Sequence, residues 1–189
     1  METQSAMSFR REALSAVRNT LSEILNGRPR PVIKFADPRF NERCGVFVTL
    51  KKHEELRGCI GFVKGVEPLH KAIQEMAIAA ATQDPRFEQI SADELNEINI
   101  EISVLTPMTE VKDISEIEIG RHGLMLICGH NSGLLLPQVP IEWNWNVEEF
   151  LSNLCRKAGL PPGSHLSPGA RLLKFSAEVF GEDENAPGV

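Results

Sequence analysis

The run Leu56-Arg57-Gly58-Cys59-Ile60-Gly61-Phe62 places a thiol two residues from a guanidinium, with glycines close on either side. Read as a β-strand, it sends Arg57, Cys59 and Gly61 to one face and Gly58, Ile60 and Phe62 to the other. The second set has the apolar bulk to face a core. The first puts Cys59 beside a positive charge and next to a residue without a side chain, leaving room for another group to approach. A nearby cation favours the thiolate, the form that attacks electrophiles and binds metals. The competing reading is a small core cysteine beside a glycine bulge, since cysteine is among the most buried residue types.

Other groups could share that chemistry. His122, within Arg121-His122-Gly123, heads a strand and titrates near neutral pH. Paired with Cys59 it would complete the minimum for an activated thiol; alone it reads as a hydrogen-bonded structural histidine. Asp84-Pro85-Arg86-Phe87 offers a carboxylate and a guanidinium at a helix end, suited to orienting a substrate or to closing a turn with an internal salt bridge. The same tetrapeptide occurs at 37–40, but its flanks differ and it is no repeat. Gln138 and Glu142 could face a pocket or sit in a solvated loop, and Trp143 and Trp145 could line a groove or pack. Cys128 and Cys155 read as structural, Cys44 lies in a polar loop, and His53 reads as solvated.

No cysteine pair has C-x-x-C spacing, so zinc-ribbon and thioredoxin readings fail. The chain has no G-x-x-x-x-G-K-[ST], G-x-G-x-x-G, G-x-S-x-G or H-E-x-x-H. Nucleotide hydrolysis, dinucleotide redox chemistry, serine hydrolysis and zincin chemistry therefore lack local support, and neither a cofactor nor a metal site is expected.

The elements that would hold these residues follow from periodicity. Residues 7–25 predict an amphipathic helix stopped at Gly27. Val46–Leu50 and Leu56–Val63 predict a hairpin around a polar turn. Pro68 opens a helix through the nearly all-apolar 77–81, ended by Asp84-Pro85. Ser91–Glu94 carries a capping box for a short helix. Ile98, Ile100, Ile102 and Val104 alternate with polar residues, the clearest strand of the chain. Residues 122–128 and 133–136 predict a second hairpin, Asn146–Glu149 caps a helix running to Ala158, and Leu172–Phe180 predicts a last strand before a loose tail. Helices interleaved with tight hairpins favour a mixed or antiparallel α+β sheet.

The 189 residues carry 42% hydrophobic side chains, enough for one domain with its own core. A net charge of −6 argues against a broad nucleic-acid surface. Residues 28–57 alone are +4, a patch suited to a small anionic ligand or to a solvated loop and turn. Without an apolar leader or membrane-length segment, a reduced, cytoplasmic, non-membrane protein is expected.

Several stretches, in order, resemble the AMMECR domain family: Gly45–Leu50, Leu56–Gly61, Asp84–Phe87, Gly120–Leu124, Gly133–Val139, Glu142 with Trp145, Phe150-Leu151 and Cys155–Leu160. The Leu56–Gly61 hexapeptide is the most specific of them; the Pro/Arg-rich approach at 28–44 has no match. The resemblance implies an α+β fold with a largely antiparallel sheet flanked by helices. It also implies a large and a small subdomain in one compact unit, an AMMECR domain over 8–182 and a tail at 183–189. It brings no settled activity. Family members are often encoded beside, or fused to, a Memo-like protein and accompany a radical-SAM enzyme, which implies a shared modification pathway. The motif match carries Arg57, Gly58, Cys59 and Gly61 into any family site. Two classes of function stay open. One is an enzyme or enzyme subunit using Cys59, His122 and Arg57, with Asp84 and Arg86 orienting substrate. The other is a non-catalytic module docking a partner or small anion on the glycine-rich strand.

Overall fold

Helix α1 spans Gln4–Leu25, beginning three residues before the expected start. Phe9, Ala13, Leu14, Val17 and Leu21 recur at helical spacing and are buried. Gly27, at φ 72°, ends it: its N–H donates to the Ile24 carbonyl and that of Arg28 to the Glu23 carbonyl, so two terminal carbonyls are satisfied. The computed structural model describes residues 4–182, so the stretch 183–189 expected as a loose tail lies outside the described residues.

Two four-stranded antiparallel sheets follow, which bears out the α+β class. The first has the order β2 (Glu55–Phe62), β1 (Val46–Lys52), β3 (Ile98–Leu105), β8 (Ala177–Gly181). The second has the order β4 (Thr109–Glu110), β7 (Arg171–Phe175), β5 (Gly123–Cys128), β6 (Asn131–Leu135). The chain divides into two units. One runs through Leu105 and resumes at Glu178; the other is Thr106–Ala177. No described helix is long and apolar enough to cross a membrane.

In the first unit α1 and α2 (Leu69–Thr82) share a core with one face of the sheet, where Val46, Val48, Leu50, Ile100 and Ile102 are fully buried. Pro68 caps α2 from just outside rather than lying in its first turn. The Ser91–Glu94 signal produces a 3₁₀ turn, Asp93–Glu97, in which Glu94 bonds back to the Ser91 N–H. In the second unit α4 (Val147–Lys157) buries Phe150, Leu151, Leu154 and Cys155 against Leu124 and Leu126. Its Asn146/Glu149 capping box forms as expected. A short helix α3, Val139–Glu142, stands where the sequence shows no helical period.

The first hairpin turns in two residues, His53 and Glu54, both at positive φ, and the second on Gly129 and His130. The expected last strand divides at Ser176. There the main chain bonds to Thr106, and β7 and β8 enter different sheets.

Strand β2 departs from plain alternation. Leu50 pairs with Gly58 and Lys51 with Leu56, so Arg57 is an unpaired bulge residue. Beyond the bulge, Gly58 faces α2, where an added Cβ would overlap the Ala80 carbonyl oxygen. Gly61 faces the opposite side, where an added Cβ would overlap the Phe47 ring. Substituting alanine at either site should cost about 1–3 kcal/mol in urea unfolding. Adding Phe47→Ala should recover part of the Gly61→Ala loss, because the nearest obstacle there is a side chain, while the Val46 carbonyl oxygen 2.6 Å from the added Cβ remains. No side-chain truncation should rescue Gly58→Ala, whose obstacle is main chain.

Candidate functional site

Cys59 lies mid-way along β2 opposite Thr49, on the sheet face away from the buried Val48 and Leu50. Its sulfur is half-buried and accepts a hydrogen bond from the Thr49 hydroxyl at 3.2 Å. Its main-chain groups point away from β1, off the edge of the sheet. There Asp84 Oδ2 accepts its N–H at 2.9 Å, and Arg86 Nη2 donates to its carbonyl at 3.3 Å.

Asp84 follows the end of α2 and is 5% exposed. Its Oδ1 accepts the Arg86 main-chain N–H at 3.1 Å and Nε at 2.9 Å, and its Oδ2 accepts Nη2 at 2.7 Å. The Arg86 bonds hold the Asp84 carboxyl well below the usual carboxylate range, helped by the Cys59 N–H and opposed by burial. Asp84 in turn raises the Arg86 pKa, and Cys59 adds to that effect, so the Arg86 guanidinium lies within electrostatic reach of the thiol. Both members of the tetrapeptide are thus gathered at Cys59.

Arg57, expected beside the sulfur, is committed elsewhere. The bulge takes it out of the alternation, and its guanidinium bonds Glu94 (3.2 and 3.3 Å), the Glu88 carbonyl (2.7 Å) and the Gln89 carbonyl (3.4 Å). Lys52, whose register partner is the buried Ile98, reaches the same carboxylate at 3.3 Å. These bonds, led by Arg57, hold Glu94 down to about 2 from the usual 4.5. The space expected at Gly61 is filled by the Phe47 ring, and the close approach at Gly58 is made by Ala80. The reading of Arg57 and Gly61 as the groups that charge and clear the thiol is therefore corrected. The neighbouring cation is Arg86.

His122 belongs to the other unit. It is 8% exposed, and its Nδ1 accepts the Glu118 N–H at 3.1 Å. Burial lowers its pKa, with Lys174 acting in the same direction, which keeps the ring neutral. Gln138 precedes α3 and uses its carbonyl to accept the Ile141 and Glu142 N–H groups, while the Glu142 side chain is exposed. Trp143 and Trp145 stack at 6.2 Å, with Trp143 67% exposed. Among the described residues, no group of three or more His, Cys, Asp or Glu side chains is placed to hold a metal ion.

Thr49 was not singled out from sequence. Hairpin register is the signal that could find it, but a two-residue turn without a bulge sets Thr49 against Gly58. The bulge moves it to Cys59.

Two measurements test the electrostatics. The folded pKa values of Asp84 and Glu94 lie below their unfolded values. Their stabilisation is therefore complete above the ordinary carboxylate range and lost as pH falls through the folded values. For Glu94 the window is from about 4.5 down to about 2, and the stability gap between wild type and Glu94→Gln should shrink across it in urea titrations. Asp84→Ala should cost about 2 kcal/mol or more, since it leaves the Cys59 N–H and Arg86 without their acceptor. Asp37→Ala, in the other tetrapeptide, should cost less.

The family model for AMMECR1 matches residues 14–180. Protein MJ0810 of Methanocaldococcus jannaschii is 43% identical over 180 residues, covering 91% of this chain and 89% of the relative. Protein MK0488 of Methanopyrus kandleri is 51% identical over 155 residues, covering 77% and 75%. The crystal structure of uncharacterized protein PH0010 from Pyrococcus horikoshii superposes with a TM-score of 0.82 at 40% identity, covering 93% of this chain and 92% of that one. The chain belongs to the AMMECR1 family.

Proposed function

We propose that this protein works through the Cys59 thiol as a component of a modification pathway, alongside Memo-like and radical-SAM partners in the cytoplasm. Arg86 receives an anionic group of the substrate or partner. The observation that supports this reading most is the environment of the sulfur: a hydroxyl donor from Thr49 at 3.2 Å and the Arg86 guanidinium nearby. Each would stabilise negative charge developing on the sulfur or on the group it attacks. Arg86 Nη1 makes no hydrogen bond among the described residues, and the side chain is 54% exposed, so one edge of the fork is open to a ligand. Asp84 fixes the other edge.

The alternative of a module docking a partner's backbone on the glycine-rich strand has less support. At Cys59 the main-chain N–H and carbonyl are already taken by Asp84 and Arg86, which blunts the edge against strand addition. The close approaches that the two glycines permit are accounted for within the chain.

Limited iodoacetamide labelling of the native protein at pH 7, read by mass spectrometry, separates the readings. Cys44 is half-buried with its pKa pushed up to about 11 by burial, and Cys155 is fully buried, so both should label slowly. Cys59 should label ahead of both and ahead of the half-buried Cys128. Arg86→Gln should slow Cys59 several-fold, and Arg86→Lys should restore part of the rate. Labelling of Cys59 no faster than of Cys44, or full rescue of a deletion strain by Cys59→Ser, would remove thiol chemistry from the account.

A further inference from the structure

A second site lies wholly within the Thr106–Ala177 unit. Residues at and after β4 and residues leading into and within β7 line an open cleft of about 460 Å³, within the range of roughly 300–1,000 Å³ of small-molecule sites. Its walls are mixed, with polar and apolar surface in about equal parts, the apolar part supplied by Val111, Ile114, Leu166 and Leu172. Three side chains bring charge or hydrogen bonding: Glu110, Lys112 and His165. The Glu110 carboxylate is paired with Arg171 at 3.4 Å. Lys112 has no acidic side-chain partner among the described residues, so its ammonium is the unanswered charge of the cleft.

His165 meets α4 on one edge of its ring. Its Nδ1 lies 3.7 Å from the sulfur of Cys155, which is fully buried near the end of α4. A thiol proton donated to Nδ1 places the ring's own proton on Nε2. The imidazole then offers an N–H donor from its opposite edge. Burial lowers the His165 pKa, which keeps the ring neutral near pH 7. One cation and one neutral donor beside the apolar side of the cleft match a singly charged anion with a hydrocarbon tail; a phosphate dianion would call for more donors.

We propose that this cleft binds a small carboxylate with an apolar tail. The carboxylate sits between the Lys112 ammonium and the His165 Nε2–H, and the tail lies against Val111, Ile114 and Leu172. Cys155 is a positioning residue that sets the His165 tautomer and does not touch the ligand.

Octanoate is the probe, titrated into the full chain and followed by amide and imidazole NMR. Octan-1-ol carries the tail without the charge, and acetate the charge without the tail. Octanoate should move the resonances of Lys112, Ile114, His165 and Leu172 and bind at least roughly tenfold tighter than either control, the scale of one charge-assisted hydrogen bond. Lys112→Met should weaken octanoate roughly tenfold. Cys155→Ala should weaken it less while converting the His165 nitrogen signals from one tautomer to a mixture. Cys59→Ser should leave octanoate binding unchanged, which separates this site from the thiol site. Equal binding of octanoate and octan-1-ol, shifts confined to other residues, or full affinity in Lys112→Met would each overturn the proposal. The comparison with octan-1-ol needs no variant, so it decides the matter even if a substitution prevents folding.

Discussion

The Asp84 carboxylate joins a helix end to a strand edge, and the surroundings of Cys59 depend on it. Its side chain is 2% exposed, so its charge must be answered within the protein. Arg86 answers it with three donors, and the Cys59 N–H adds a fourth. The guanidinium then reaches the Cys59 carbonyl, so both outward main-chain groups of an edge residue are satisfied by one ion pair. The same closeness of α2 to β2 explains Gly58, whose missing side chain admits the Ala80 carbonyl. The glycine and the aspartate serve one packing constraint from two elements.

The two Asp-Pro-Arg-Phe segments separate what a short sequence dictates from what its surroundings add. In each, the aspartate accepts the main-chain N–H and the guanidinium of the arginine two residues on. That local structure follows from an Asp two residues before an N–H and a proline that fixes φ between them. The uses diverge. Arg39 lies over the Phe9 ring at 3.9 Å, within the core aromatics. Arg86 reaches the Cys59 carbonyl at the sheet edge. Nothing within the four residues distinguishes the two fates.

The positive charge of residues 28–57 is largely answered by acids, most of them from outside the segment. Arg28 pairs with Glu23, Lys51 with Glu101, and Lys52 and Arg57 with Glu94, while Arg39 pairs with Asp37 inside it. A count of charge along the sequence thus overstates the field available to an anionic partner. The single unbonded edge of Arg86, outside that segment, is the better-placed cation for the thiol.

The periodicity of the isoleucines in β3, the apolar stripe of α1 and the caps of α4 each rest on residues three or four apart in the helices, or two apart in the strand. The sequence by itself therefore determined those elements, the antiparallel α+β class and the family motif. It missed the division of the last strand at Ser176, because that depends on the hydroxyl and main-chain N–H of Thr106, seventy residues away. It misplaced Arg57 because a one-residue bulge, which alternation cannot anticipate, turns the guanidinium to Glu94. Tertiary structure alone decided which cation reaches the thiol, since that depends on where the end of α2 meets the edge of β2. It alone also set the Cys155–His165 contact, where a helix that read as simple core packing meets a later loop.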